Sequence, residues 1–149
     1  MMVAQVETGS YRNAAEVLAL VRDFKFCTLP RAQWTHRAHL TVALWHSLRY
    51  PWAEAVELMR RGIKRYNEAN GILTTESSGY HETITLFWMR FIREYLINLS
   101  LPDCTLASLA NELVERCPAS LPFEYYSREL LMSAEARRAW VEPDLKPLA

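Results

Sequence analysis

A helix that is apolar nearly all the way round cannot lie on a surface, and this chain contains one. From Thr35, a candidate N-cap, to Tyr50 the apolar residues are Ala38, Leu40, Val42, Ala43, Leu44, Trp45 and Leu48. Such a helix has to be enclosed by others, because no single face can shed its apolar surface into one neighbour. The architecture is therefore expected to be all-α, a single-domain bundle of about five helices around this one. The chain has 149 residues, half of them hydrophobic. That is enough to bury a core without disulfide or metal staples.

The surrounding segments carry helical periodicity with start and stop signals. A first helix is expected from Asn13, its cap, to Phe24, with Val17, Leu18, Leu20 and Val21 inward. Pro30 ends that region, since proline cannot continue a helix. A third helix runs from Pro51 to Asn70 with Gly71 as its stop. A fourth runs from His81 to Leu99, its apolar stripe made of Ile84, Trp88, Phe91, Ile92, Tyr95 and Leu96. Ser77 and Ser78 are candidate caps for it, Arg90, Arg93 and Glu94 mark its solvated side, and Ser100 to Asp103 ends it. A fifth helix follows from Thr105 to Arg116, capped by Thr105 or Asp103. Residues 1–10 form an arm, and 118–149 an extension too apolar to hang free (Phe123, Tyr125, Tyr126, Leu130, Leu131, Met132), with a short helix after Ser133.

Charge and cysteine usage narrow the partners. Formal net charge is zero and Lys and Arg are scattered, so no basic face meets the phosphate neutralisation a nucleic acid demands. Cys27, Cys104 and Cys117 form no C-x-x-C pair, which points to a reduced, cytoplasmic setting. The first ten residues lack the pattern of a signal peptide, and no apolar run is long enough to span a membrane. No membrane or nucleic-acid partner is expected; a homo-oligomer through Trp-rich surfaces is left open.

The candidate chemistry lies in Gly79-Tyr80-His81-Glu82-Thr83-Ile84-Thr85 and in Trp34-Thr35-His36-Arg37-Ala38-His39-Leu40. His36 and His39 stand about one turn apart on one stripe, so their rings reach a common point. His46 lies two turns further on, roughly 10 Å from His39 at helical rise, and is set aside. His81 falls within the apolar stripe of the fourth helix. If the second and fourth helices are neighbours, three imidazoles converge, and three protein ligands with an open fourth position are the pattern of a catalytic zinc or similar divalent metal such as nickel. His36, His39 and His81 are then the metal candidates. Glu82 is the candidate fourth ligand or general base acting on bound water, and Tyr80 the candidate donor to a developing oxyanion. Without a metal, the same residues make a polar pocket for a small-molecule ligand. The competing reading is a non-catalytic helical module whose histidines hydrogen-bond within the core. No Gly-rich phosphate loop, G-x-S-x-G elbow or Cys–His nucleophile pattern is present.

The two motif stretches resemble the paired H-x-x-H-[LV] and Y-H-E-T segments of an uncharacterised bacterial family of small helical proteins, and Tyr125-Tyr126-Ser127 and the segment from Ser133 to Leu148 are similar to its C-terminal portion. The resemblance covers most of the chain. It implies one all-helical domain and brings no activity with it. A looser likeness to four-helix-bundle hydrolases with three histidine ligands is one of fold, and the H-x-x-H spacing here departs from their H-x-x-x-H pair.

Overall fold

The computed structural model describes residues 9–99 and 104–148. Helices are Ala14–Lys25 (α1), His36–Arg49 (α2), Trp52–Ala69 (α3), Glu82–Ile97 (α4), Leu106–Arg116 (α5), Arg128–Leu131 (α6) and Ala134–Arg138 (α7), with single 3₁₀ turns at Arg31–Gln33 and Leu121–Glu124. No strand occurs among the described residues. The proposed arm through Met1 to Thr8, and the helix end and Asp103 cap at Ser100 to Asp103, lie outside them.

Four of the five long helices start where a side chain satisfies an orphan amide; α3, which follows Pro51, has no side-chain cap. Asn13 Oδ1 accepts from the Glu16 amide, and Thr35 Oγ1 from that of Ala38. Thr105 and Ser108 accept from each other's backbone amides, a reciprocal capping box. Polar caps placed just before apolar periods are why these boundaries follow the sequence so closely.

Helix α2 is the central element, packed against α1, α3, α4 and α5. Its buried residues Ala38, Leu40, Thr41, Val42, Ala43, Leu44 and His46 point in nearly every direction round the axis. Each fully buried Leu or Val contributes roughly 1.5–3 kcal/mol, so Leu40, Val42 and Leu44 hold the centre of the bundle. The C-terminal segment closes the far side of α4. Tyr126, Leu131 and Ala136 are fully buried. The Tyr126 hydroxyl donates to the Val141 carbonyl. Thr83 Oγ1 on α4 donates to the Ala139 carbonyl and accepts from the Val141 amide.

The start of α4 differs from the expected one. His81 is not a residue of the helix face but its N-cap, with extended backbone (φ −132°, ψ 109°), and its Nδ1 accepts from the Ile84 amide at 3.1 Å. Ser77 and Ser78 stay in the preceding loop, where their amides donate to Thr75 Oγ1. Gly79 is the reason. It takes φ +87°, and a Cβ there would stand 2.5 Å from the Leu73 carbonyl oxygen. The chain turns so sharply that the serines lie behind the helix start and an imidazole takes the capping role.

Candidate functional site

Capping by Thr35 sets the first turn of α2, and with it the two histidines of that wall. The His36 Nε2–H donates to the Cys117 carbonyl at 2.7 Å. The His39 Nδ1–H donates to the Thr35 carbonyl at 3.0 Å, while its ring lies against that of Trp34, with centroids 3.7 Å apart and planes tilted by 32°. A carbonyl can only accept, so both bonds fix the tautomer. The lone pairs left over are His36 Nδ1 and His39 Nε2, and neither meets a partner among the described residues. Burial pushes the His39 pKa down to about 4, against the pull of the Thr35 bond, with His36 lowering it further. His46 is a different case. It is buried between the Trp45 and Tyr50 rings and gives its Nδ1–H to the Val42 carbonyl, away from the other two.

On the facing wall His81 uses both ring nitrogens. Its Nε2–H donates to the Leu131 carbonyl at 2.7 Å and its Nδ1 caps α4. Burial lowers its pKa, the Leu131 bond opposes that, and the charge of Arg137 lowers it again. Glu82 turns toward α3, where Arg60 Nη2–H reaches Oε2 at 2.6 Å and Nε–H bridges both oxygens at 3.1 and 3.2 Å. The Tyr80 hydroxyl donates to Glu82 Oε1 at 2.6 Å. Burial alone would raise the Glu82 pKa; the Arg60 and Tyr80 bonds outweigh it and hold the carboxyl below its usual value. Tyr80 is shifted the other way, raised by burial and then by the bond to Glu82. Thr85 Oγ1 donates to the His81 carbonyl.

Between the walls lies a cleft of about 530 Å³. His36, His39, His81 and Tyr80 all line it, among the apolar side chains of Leu40, Met59, Ile63, Ile84, Trp88 and Met89. Glu82 does not line it. The fold thus brings the three histidines and the tyrosine to one space and takes the carboxylate out of it. Arg137 also enters the cleft. It sits in a short C-terminal helix with no apolar period to advertise an inward side chain, and sequence reading passes over it. A weak cue is its place one turn after the Ser133 cap, between Ala136 and Arg138.

The donor set does not fit a three-histidine metal centre. His81 has no lone pair left for an ion, since Nε2 carries the donated proton and Nδ1 is occupied by the Ile84 amide. Among the described residues no group of three His, Cys, Asp or Glu side chains is placed to hold a metal. Two imidazole lone pairs remain on α2, fewer than the three protein ligands of a catalytic zinc. No helix among the described residues is long and apolar enough to cross a membrane. Compared with known proteins, the chain matches no family model, no curated protein and no solved structure.

Proposed function

We propose that this chain is a small-molecule-binding protein whose ligand lies in the cleft between α2 and α4. One observation carries the reading. His36 and His39 line a largely apolar cleft of about 530 Å³ with one ring nitrogen each anchored to backbone and the other free to accept. Apolar walls with a few oriented polar groups in a volume of this order are the usual make-up of a ligand site. Trp34 and Trp88 on the walls suit a flat, aromatic or otherwise rigid body. The unpaired cysteines support the reducing, cytoplasmic setting in which we place the protein.

The neutral fluorophore N-phenyl-1-naphthylamine tests the cleft without involving charge. Saturable emission enhancement at one site is expected in the native chain, and its loss in Ile84→Trp, which fills the cleft from the α4 side. No enhancement in a folded chain would remove the reading.

A second reading rests on a different observation. Each of His36, His39 and His81 gives a ring N–H to a main-chain carbonyl, which is what histidines of a purely structural, non-catalytic module do. It is favoured if the probe fails and all three alanine variants lose stability alone. Metal-dependent hydrolysis with Glu82 as base finds less support, because that carboxylate is held by Arg60 and Tyr80 and does not line the cleft. Chelator-treated protein that takes up zinc or nickel near one equivalent would reinstate it.

A further inference from the structure

Arg137 is a buried cation without a counter-ion. Its residue surface is 8% exposed. It makes one side-chain hydrogen bond, Nη1–H to the Gly79 carbonyl at 3.1 Å, and its buried Nε–H has no partner. No carboxylate among the described residues pairs with it. Arg60 makes the contrast plain: more exposed, it holds both Glu57 and Glu82. Lys, Glu, Arg and Asp are almost never fully buried unless paired, and a buried donor left unmatched is costly. Beyond its Gly79 bond the guanidinium has no partner among the described residues for Nη2 or the second Nη1 proton, and a guanidinium edge of that kind receives a planar anion in two parallel bonds.

The surroundings say which anion. Arg137 lines the histidine cleft on one side and a polar groove on the other, where Lys64, Glu76 and Arg138 are the charged neighbours. All three of those are exposed, and Lys64 lies over the Tyr80 ring. His81, whose pKa is lowered by burial and then by the Arg137 charge, is neutral with both nitrogens engaged. One buried positive charge therefore faces the cleft, which matches a monoanion better than a dianion. The geometry points to an amphipathic carboxylic acid as the ligand, its apolar body in the cleft and its carboxylate on Arg137. This rests on the binding reading above and adds the chemical class.

Calorimetric titration of the full chain with three matched compounds tests it: 1-naphthoate, 1-naphthamide and 1-naphthyl phosphate. Naphthoate is expected to bind at least tenfold more tightly than the neutral amide. In Arg137→Met the two should come within about twofold of each other. Arg137→Lys, which keeps the charge and loses the fork, should reduce the preference by at least threefold, and it decides the matter if Arg137→Met does not fold. Equal affinity for acid and amide, or a preference that survives both substitutions, would overturn the assignment while leaving the cleft reading intact. Tighter binding of the phosphate ester would overturn the carboxylate in favour of a dianion. Failure of all three compounds together with the neutral fluorophore would overturn both readings.

Discussion

The two walls of the cleft carry histidines in equal prominence, and they differ in what is left over. On the α4 side, His81, Tyr80 and Glu82 are saturated: every nitrogen and oxygen that matters is bonded to backbone, to Arg60 or to one another. On the α2 side, His36 and His39 each keep one nitrogen unbonded. The first wall is a fastening and the second a surface that a ligand can meet. A histidine in an apolar setting is thus no sign of chemistry until both of its nitrogens are accounted for.

The largest effect should come from removing the fastening. His81→Ala deletes the α4 cap and leaves the Leu131 carbonyl without its donor, so unfolding in urea should show a loss of about 2–4 kcal/mol. His81→Asn, which can still cap, should recover about 1 kcal/mol of that. A loss as small as that of the α2 histidines would erase the contrast between the walls.

Acid should act next. His39, His46 and His81 all have folded pKa values below the usual 6.5, with His39 at about 4. Between those limits the unfolded chain binds protons that the folded chain does not, so stability is full above pH 6.5 and falls as pH drops toward 4. Glu82, with its pKa held down, contributes a stability that is constant above about 4.5 and is lost only as pH falls below it, so it does not confuse the upper part of that window. The urea midpoint should fall steadily from pH 7 to pH 5, by about 2 kcal/mol in stability from His39 alone, with His46 and His81 adding in the same direction. In His39→Leu the slope should be visibly flatter. A midpoint level across that range would mean that the rings are not held neutral.

Glu82→Gln removes the charge between Arg60 and Tyr80 and keeps the shape. A cost of about 1–2 kcal/mol is expected from the weakened charge-assisted bonds, with binding of the neutral fluorophore unchanged because the carboxylate lies outside the cleft. The smallest stability change at pH 7 should be that of His39→Leu, under about 1 kcal/mol. The Thr35 carbonyl it bonds also accepts from the His39 backbone amide and is not orphaned by the substitution. The same variant should weaken fluorophore binding measurably, so small loss of fold with clear loss of ligand is the signature of the open wall.

Much of the fold was legible because the signals are local. Asn13, Thr35, Thr105 and Ser133 cap the helices that follow them, and the all-round apolar pattern of residues 38–48 put α2 at the centre. The start of α4 was less legible, because Ser77 and Ser78 look like better caps than a histidine does. Nothing local reveals that Gly79 turns the chain past them. For the site, the sequence brought His36, His39, His81 and Tyr80 forward, and they do line one cleft. Glu82 was brought forward with them, but His81 is the extended N-cap and Glu82 the first helical residue, and the chain delivers that carboxylate to Arg60.

What the sequence by itself determined is the set of helices, their order and the burial of α2, because propensity, capping and apolar period act within a few residues of one another. What only the tertiary structure decided is which polar atoms remain free. The carbonyls of Cys117 and Leu131 lie 81 and 50 residues from the histidines that bond them, and Arg137 reaches Gly79 across 58. Such pairings depend on where distant backbone comes to rest, and no local rule encodes that. The proposed binding site is made of what those long-range bonds leave unmatched: two imidazole nitrogens on α2 and one guanidinium in the same cleft lining.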